Sequence, residues 1–460
     1  MAELAAIVGH DAVKSEPSEV AEFLVDNSWL SPILTAYFGG RRPLEGRLPA
    51  VAAVVSPGTA EELKAVVGLA VRRGVPITVR GGGTSNFGQV IPLHGGVVVD
   101  TRRLSQILSV TDDIMTAEAG TLQGEMNRVA RGRGYDLTLL TTTHASATIG
   151  GWVAGGHVGV GTSGYGTIWD GNVLGVGLLT AEDPPRELVL TGDDVFPVLH
   201  TYGTVGVVTQ VTVPLVPARV WVEELGIFDT FEAACRFVVD TMHEPPQVQR
   251  VIVAQEAPIP SSFTPLHGLI REDQSVVLMI IDEAWRARCR QLVREHGGRV
   301  EPWRRDETNR VSFTYMVYGH RMLWIKRIAP NSAFLHVYFR PSRELEQIAA
   351  LKQRFGHRVW FELKYMNSRY LRELCGLEGP GRLPAAVLAL VEGDPAGLQE
   401  LMDACRAEDV VYWSPHTFVL EESGIFTPEG LGRILAFKHQ TDPKGLLNPG
   451  KLTRTPRMDG

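Results

Sequence analysis

The sequence predicts an α+β fold with two domains, and three observations support this. Of the 48 glycines, 22 lie between Gly74 and Gly177, and such a density usually serves tight turns or close approach to a ligand. Within residues 46–217, short β-type runs alternate with segments of helical spacing. Near residue 215 the glycines thin out and aromatic residues appear. The following strands, with helices between them, predict an antiparallel sheet flanked by helices.

The first half opens with a strand–helix–strand unit. Ala52–Val55 is a β-type run, and a turn separates it from a helical segment. Thr59 with Glu62 three residues later forms a capping box that starts this helix. Gly74 ends the helix, and Pro76–Val79 is the next predicted strand. The unit therefore leads from a strand directly into a glycine loop.

The other predicted elements follow from the same patterns. Residues 1–45 are expected to be a helical lead-in, and Leu122–Arg133 and Ser342–Arg354 have helical spacing. Val207–Val213 is a strand that Pro214 and Pro217 should close. The remaining predicted strands are Gly96–Asp100, Met115–Ala119, Val173–Thr180, Glu187–Leu190, Val251–Gln255, Ser275–Ile281, Ala333–Arg340, Val359–Tyr365 and Val410–His416.

Composition excludes several classes of protein. The 460 residues are 44% hydrophobic and 21% charged, with a net charge of −7, so the chain is neither disordered nor drawn electrostatically to nucleic acid. The four cysteines form no CxxC pair, and we expect no metal site. The sequence has no apolar run of 18 residues without a charge and no signal peptide. A cytoplasmic protein without a membrane span is therefore expected.

The glycine loop carries the first functional signal. It reads RGGGTSNFGQ, from Arg80 to Gln89, and follows a predicted strand. Consecutive glycines let several backbone N–H groups converge on phosphate oxygens, and Thr84 and Ser85 add hydroxyl donors. The alternative interpretation is a glycine-rich surface turn. The loop matches neither the GxGxxG fingerprint nor a Walker loop.

Three further stretches extend this signal. They are THASATIGGWVAGGH with a following SGYG (residues 143–166), GTVGVVT (203–209) and DPKGLLNPGKL (442–452). In this order, the four pieces resemble the FAD-binding domain of the vanillyl-alcohol oxidase / p-cresol methylhydroxylase (PCMH-type) family, over about residues 48–217 and 428–452. Within this family, the sequences TIGGW, VAGG and SGYG are most similar to those of the bacterial FAD-linked oxidase branch.

The resemblance implies a specific domain plan. A PCMH-type FAD-binding domain of two α/β subdomains would occupy 46–217, and a substrate (cap) domain with an antiparallel sheet flanked by helices would occupy 218–427. The tail, 428–460, would return to the FAD-binding domain. The lead-in, 1–45, precedes both.

The resemblance also implies FAD contacts. The first glycine loop would hold the pyrophosphate, the TIGG stretch would run beside the flavin, and the strand at Val207 and Val208 would contact the adenosine half. For Lys451, an exposed surface lysine is the alternative. The complete set is Arg80, Gly81, Gly82, Gly83, Thr84, Ser85, Gln89, Thr141, Thr142, Thr143, His144, Thr148, Gly150, Gly151, Gly155, Ser163, Tyr165, Gly166, Val207, Val208, Asn448 and Lys451.

Non-covalent attachment of FAD is expected. Members of the family with histidyl-linked flavin have His where this loop has Thr84, and a second, cysteinyl link needs a Cys near the TIGG stretch. The first cysteine of this chain is Cys235. His144 and His157 lie in flavin-adjacent stretches, where a structural, hydrogen-bonded role is the alternative to a chemical one.

The resemblance implies an FAD-dependent oxidoreductase that oxidises an alcohol-type small molecule. A flavin accepts a hydride at N5 from a carbon bearing a hydroxyl group. The sequence leaves the acceptor (oxygen or another) and the oligomeric state open. Two alternatives are a non-redox FAD-dependent transferase, isomerase or lyase, and a flavoprotein subunit or inactive relative with an associative role. The family's ether-lipid synthases and D-2-hydroxy-acid enzymes carry histidine-rich motifs that this chain lacks, which disfavours both.

The catalytic residues are predicted from strand alternation. His336, Tyr338 and Arg340 share one strand face, as do Tyr412 and His416. Tyr412 and His416 are the predicted catalytic pair because they shortly precede the return to the FAD-binding domain, and ligand pockets concentrate at domain interfaces. A solvent-facing outer sheet surface is the alternative.

Overall fold

The computed structural model describes residues 1–26, 51–303, 311–413 and 419–453, and everything said below concerns these residues. Within them, three sheets follow one another along the chain. None of the described helices is both long and apolar enough to cross a bilayer.

The first sheet is mainly parallel and has the order β1-β2-β4-β3. Strands β2 and β3 both run parallel to β4, and β1 is antiparallel to β2. The lead-in is therefore not purely helical, since it adds a short edge strand. The elements are α1 (Ala2–Val8), β1 (Val13–Lys14), α2 (Pro17–Val20), β2 (Val51–Val55), α3 (Ala60–Arg73), β3 (Ile77–Arg80) and β4 (Gly96–Asp100).

The predicted caps of α3 are confirmed. The Thr59 side chain accepts a hydrogen bond from the Glu62 N–H, and the Glu62 carboxylate accepts one from the Gly58 N–H at 2.6 Å. Gly74 ends the helix with a φ of 63°, a left-handed conformation that glycine adopts without steric cost. The chain then enters β3, and the glycine loop follows directly.

The second sheet is antiparallel, with the order β5-β6-β10-β8-β9 and with β7 paired to β10. The predicted end of β10 at Pro214 is wrong: the strand continues to Pro217, because its last residues pair with β7. The elements are β5 (Ile107–Val110), β6 (Ile114–Glu118), α4 (Gln123–Arg131), β7 (Tyr135–Leu137), α5 (Ile149–Gly155), α6 (Thr162–Tyr165), β8 (Gly175–Leu179), β9 (Glu187–Thr191) and β10 (Val207–Pro217).

The third sheet has the order β14-β11-β13-β12-β17-β18-β15-β19, with β16 paired to β18. The predicted strand Val359–Tyr365 is in fact two strands, which divide at Phe361. The strands are β11 (Trp221–Phe228), β12 (Gln249–Gln255), β13 (Ser275–Asp282), β14 (Arg299–Trp303), β15 (Ala333–Tyr338), β16 (Val359–Trp360), β17 (Glu362–Met366), β18 (Leu383–Leu390) and β19 (Val411–Trp413).

Helices accompany this sheet and follow it: α7 (Phe231–Thr241), α8 (Arg286–Glu295), α9 (Tyr318–Ile325), α10 (Glu344–Phe355), α11 (Arg369–Leu374), α12 (Pro395–Ala407), α13 (Leu420–Ser423) and α14 (Pro428–Thr441). The two faces of the third sheet have different neighbours. Ile252 and Ala254 pack into the core formed with α7, α8, α10 and α12, whereas Val251 and Val253 belong to a core shared with the second sheet. This alternation is that of a strand covered on both faces.

The tail after α14 returns to the first sheet. The Asn448 N–H donates to the Ile77 carbonyl at 2.7 Å, and Leu447 forms a parallel bridge with Ile77. Leu447 is fully buried in the core of the first sheet. Strand β3, at the edge of the first sheet, and residues 447–448 of the tail are therefore held together beside the glycine loop.

Candidate functional site

The glycine loop lies against the segment that enters α5, and the contact leaves no room for side chains. A Cβ added to Gly82 would lie 1.9 Å from the Ser146 carbonyl oxygen, and one added to Gly81 would lie 2.1 Å from Thr148 Oγ1. Within the described part of the chain, the N–H groups of residues 82–85 have no hydrogen-bond partner. These glycines therefore permit a close backbone approach and leave several donors open.

A cleft with two lobes runs along this contact. The larger lobe encloses about 1050 Å³ and the smaller lobe about 530 Å³, both including space open to solvent. The walls shared by both lobes are Gly81, Ser85, Gln89, Val90, Gly151 and Gly155.

The tail supports the loop from behind the cleft. Asn448 Nδ2 donates to the carbonyls of Gln89 and Tyr202 at 2.8 and 2.7 Å, and Lys451 Nζ donates to the Gly88 carbonyl at 2.5 Å. Lys451 is fully buried, so the alternative of an exposed surface lysine is wrong. Burial lowers the pKa of Lys451 to about 7. Neither residue is among those that line the cleft.

Arg80 faces away from the cleft. Its guanidinium donates to the backbone carbonyls of Glu22 and Val25 and lies over the Phe23 ring. Beside it, the Ser85 hydroxyl donates to the Asp26 carboxylate at 2.6 Å. Arg80 therefore fastens the N-terminal segment to the glycine loop.

The third sheet and α9 close the larger lobe. Strand alternation decides which residues face it: Leu363 and Tyr365 point into the helix-covered core, so Glu362 and Lys364 point to the opposite side. The residues that this half of the protein contributes to the wall are Tyr318, Gly319, Met322, His336, Lys364, Met366 and Val387.

A buried charged cluster lies at this wall. Arg321, Glu362 and Lys364 are each 2% exposed or less. Arg321 Nη1 is 3.1 Å from Glu362 Oε2, and the Lys364 ammonium contacts Glu362 Oε1. Glu362 Oε1 also accepts from the Val387 N–H at 3.0 Å. Its paired cations lower the pKa of Glu362 against the opposing effect of burial, whereas burial lowers that of Lys364.

Aromatic rings and histidines surround His157 at the same lobe. The His157 ring lies 5.1 Å from that of His200 and 5.2 Å from that of Trp413, and His336 stacks on Trp413 at 4.2 Å. Burial lowers the pKa of His157 well below its usual value and that of His200 to about 4. His157 is therefore neutral at pH 7.

The structure brings most of the predicted FAD contacts to the cleft. Those that line it are Gly81, Gly82, Gly83, Thr84, Ser85, Gln89, Thr141, Thr142, Thr143, Thr148, Gly150, Gly151, Gly155 and Val208.

Other predicted residues lie outside the cleft wall. His144 stacks on Tyr315 at 6.0 Å and bonds the Thr141 carbonyl, and Val207 is buried in the core of the first sheet. Tyr165 lines a separate surface groove. Ser163 and Gly166 lie at either end of the same short segment as Tyr165.

The predicted catalytic pair is not brought to the cleft. Tyr412 lies on the helix-covered face of β19, where it packs against that core and under the Arg406 guanidinium, 5.3 Å from its ring centre. His416 lies outside the described residues. The other predicted face was that of His336, Tyr338 and Arg340, on and just after β15. His336 lines the lobe, whereas Tyr338 is buried beside Trp413 and Arg340 pairs with Asp409.

Sequence reasoning missed the charged cluster. Its signal is Glu362 and Lys364 at alternate positions of an otherwise apolar strand, VWFELKYM. Buried charges are rare unless they are paired or functional, so that pattern is informative. The third member, Arg321, lies on α9, and no sequence spacing connects it to β17.

The cleft fits FAD by shape and donor chemistry. Two lobes meet at a waist walled by glycines, and the open N–H groups of residues 82–85 are donors suited to phosphate oxygens. A side chain at Gly81 or Gly82 would overlap Thr148 or Ser146 and push the loop away from the segment that enters α5.

Comparison with known proteins agrees with this geometry. A family model described as an FAD binding domain matches residues 51–183. A D-lactate dehydrogenase of Archaeoglobus fulgidus is 23% identical over 429 residues, which cover 87% of this chain and 91% of that protein. The glycolate oxidase subunit GlcD of Bacillus subtilis is 26% identical over 201 residues, 41% of this chain and 42% of that protein.

The fold is also that of a solved structure. An alkyldihydroxyacetonephosphate synthase superposes with a TM-score of 0.72 at 15% identity, over 98% of this chain and 84% of that one. The fold, the glycine-walled cleft and the matched domain agree with one another. The chain carries a PCMH-type FAD-binding domain and is an FAD-dependent oxidoreductase.

Proposed function

We propose that this enzyme oxidises the CH–OH group of a small molecule by hydride transfer to flavin N5. The observation that carries the proposal is the larger lobe, where a glycine-rich wall, formed by the loop after β3 and by α5, faces His336 and Lys364 of the third sheet. FAD, when bound, supplies the two-electron acceptor. The chain's own residues would bind the substrate, orient it and take its hydroxyl proton.

The residues assigned to FAD follow from the two lobes. The glycine loop at the waist would hold the pyrophosphate, the larger lobe the flavin ring, and the smaller lobe the adenosine half. Residues 46–217 and the returning tail would form the FAD-binding domain, and 218–427 the substrate domain. Asn448 and Lys451 act behind the loop, through Gln89 and Gly88.

The missing histidine-rich motif argues against a D-2-hydroxy acid, but the relatives of this chain make hydroxy acids the first substrates to test. Three relatives are described as a D-lactate dehydrogenase, a glycolate oxidase subunit and a D-2-hydroxyglutarate dehydrogenase. Lactate, glycolate and 2-hydroxyglutarate all carry a hydroxyl group on the carbon beside a carboxylate.

Anaerobic reduction of the bound flavin tests the proposal. The purified holoenzyme is mixed without oxygen with D-lactate, L-lactate, glycolate, D-2-hydroxyglutarate, xylitol or vanillyl alcohol. We expect at least one compound to bleach the flavin band near 450 nm stoichiometrically. If no CH–OH compound reduces the flavin, the proposal fails and a non-redox role for the same fold is favoured.

Acid precipitation tests the mode of FAD attachment. We propose that the flavin is held non-covalently, because Thr84 occupies the loop and Cys235, Cys289, Cys375 and Cys405 are all buried away from the cleft wall. Yellow colour should therefore stay in the supernatant. Colour in the pellet would show a covalent bond.

A further inference from the structure

We propose that Lys364 is the base that accepts the substrate's hydroxyl proton, with Glu362 as its orienting partner and Arg321 as a positioning residue. This inference rests on the proposed oxidation of a CH–OH group. It assigns a role to a buried cluster that cofactor binding does not explain.

The argument begins with the position of Lys364. Four residues with titratable side chains line the larger lobe within the described chain: His157, Tyr318, His336 and Lys364. Burial raises the pKa of Tyr318, which keeps it protonated and makes it a donor. Lys364 lies over the Tyr318 ring, 5.4 Å from its centre, on the wall opposite the glycine-rich segments.

The charge balance favours a neutral amine before the substrate binds. Arg321 and Glu362 already form a close pair with no exposed surface. A third charge in this place would be uncompensated, and burying an unpaired charge is costly. The pKa of Lys364 is lowered by burial, then raised by Glu362 and lowered by Arg321, with a net lowering.

The hydrogen bonds orient the amine. Glu362 is held by Arg321, by the Val387 N–H and by Gln255 Nε2, and Arg321 is held in turn by Gln255 Oε1 and the Val387 carbonyl. One N–H of Lys364 donates to Glu362, which leaves the nitrogen lone pair free to point elsewhere. A base held by a carboxylate is the arrangement found in catalytic dyads and triads.

The step balances in atoms and electrons. The O–H bond of the substrate breaks, and its proton binds Lys364 Nζ to give an ammonium. The C–H bond breaks, its hydrogen and electron pair leave as hydride to FAD, and the carbon–oxygen bond becomes double. The substrate is oxidised by two electrons and FAD is reduced by two. Glu362 stabilises the new ammonium.

The neighbouring charged and titratable groups are few. Glu362 lies on β17 with Lys364, Arg321 and Tyr318 lie on α9, His336 lies on β15, and His157 follows α5. His157 is the main rival as a base, but its ring packs edge-on with the rings of His200 and Trp413, and no described carboxylate binds it.

The test compares Lys364→Met with Lys352→Met. Lys352 is a matched control, since it too contacts a carboxylate, Glu256, and lies over an aromatic ring, 5.3 Å from Phe361, but it does not line the cleft. Rates of anaerobic flavin reduction are measured against substrate concentration. For K364M we expect the limiting rate to fall about 100-fold or more, with the half-saturating concentration changed less than about threefold, while K352M behaves as wild type.

A second measurement does not depend on turnover. The flavin absorption spectrum of each holoenzyme is recorded from pH 6 to 10 without substrate. Protonation of an amine beside the cofactor should shift the wild-type spectrum, and K364M should lose that titration while K352M keeps it. Equal FAD content in all three proteins shows that they are folded.

The outcomes separate this inference from the proposed function. If no compound reduces wild-type flavin, the proposed function fails, and the spectral titration alone decides whether Lys364 titrates beside the cofactor. If wild type is reduced and K364M keeps its limiting rate, Lys364 is not the base. A raised half-saturating concentration with an unchanged limiting rate would make Lys364 an anchor for an anionic group and would also overturn the inference.

Discussion

At the scale of single residues, two positions of the loop must be glycine because neighbouring atoms lie too close for a Cβ. Gly81 and Gly82 allow the loop to touch Thr148 and Ser146 at separations that no Cβ tolerates. Gly432, within α14, is different, because open space lies where its Cβ would be. The contrast predicts opposite effects of the same substitution.

Gly82→Ala should weaken FAD binding. The added methyl would overlap the Ser146 carbonyl, so the loop and the segment before α5 must separate, and the donors that face the waist move with them. FAD affinity measured by flavin fluorescence is expected to fall at least about tenfold, a loss of about 1.4 kcal/mol.

Gly432→Ala is the control for this substitution. It should leave FAD affinity unchanged and raise stability by about 0.5–1 kcal/mol, since alanine is the better helix former. Wild-type affinity in G82A would show that the loop does not carry the cofactor.

Lys451 predicts a pH dependence of stability. Its pKa is about 7 in the folded protein and about 10.4 in an unfolded chain. Below pH 7 both states are protonated, and the fold bears the cost of a buried charge. Between pH 7 and about 10 only the unfolded state keeps the proton, so the cost of Lys451 to the fold shrinks and stability rises as pH rises.

We therefore compare the free energy of unfolding of wild type with that of Lys451→Met. The difference, wild type minus variant, should increase by about 2–3 kcal/mol between pH 7 and 9. Lys444→Met is the control, because Lys444 lies in the same tail and is exposed; its difference from wild type should stay constant. Denaturant unfolding at several pH values measures both. If the difference in unfolding free energy between wild type and K451M does not change with pH, Lys451 does not change its charge in this range.

At the scale of elements, helix caps can be separated from the cofactor site. Thr148 caps α5 by accepting from the Gly151 N–H at 3.2 Å, and Thr427 caps α14 by accepting from the Gly430 N–H at 3.1 Å. The two caps have the same chemistry, but only Thr148 lines the cleft.

Thr148→Ala and Thr427→Ala should each cost about 1 kcal/mol of stability. Only T148A is expected to weaken FAD binding, because Thr148 also touches the glycine loop. Melting temperature of the apoprotein and FAD titration check the two effects separately. Equal FAD affinity in both variants would remove Thr148 from the site.

At the scale of the whole molecule, one carboxylate connects the second sheet to the third. Asp136 on β7 is 1% exposed and accepts hydrogen bonds from the Trp221 indole at 2.9 Å and from the Arg219 N–H at 3.1 Å. It also contacts Arg131 and lies 3.9 Å from the buried Arg250. Removing its charge leaves these cations without a buried counter-charge.

Asp136→Asn should destabilise the protein by about 3 kcal/mol. Glu187→Gln is the control: Glu187 on β9 pairs with Lys64 on α3 at 2.6 Å, but both side chains are largely exposed, so about 1 kcal/mol or less is expected. Denaturant unfolding of the holoenzymes compares the two. A loss in D136N no greater than in E187Q would show that the buried cluster does not join the sheets.

Local patterns were sufficient for much of the fold and for the cofactor side of the site. Thr59, Glu62 and Gly74 mark the ends of α3 in the sequence, and the structure confirms them, since caps depend on neighbours a few residues away. The glycine loop, the TIGG stretch and Gln89 were likewise predicted, and they line the cleft. Backbone approach to a ligand leaves a mark in the sequence because it demands glycine.

Only the tertiary structure shows which residues of the third sheet face the cleft. Tyr412 and Lys364 both alternate with apolar neighbours on their strands, and no local signal says which face of the third sheet is covered by helices. Glu362 and Lys364 lie on β17, between β12 and β18, and Arg321 of α9 reaches them through hydrogen bonds to Gln255 on β12 and to the Val387 carbonyl on β18. Sequence spacing specifies a side-chain period within one strand, whereas the face that meets the cofactor depends on how distant strands pair and pack.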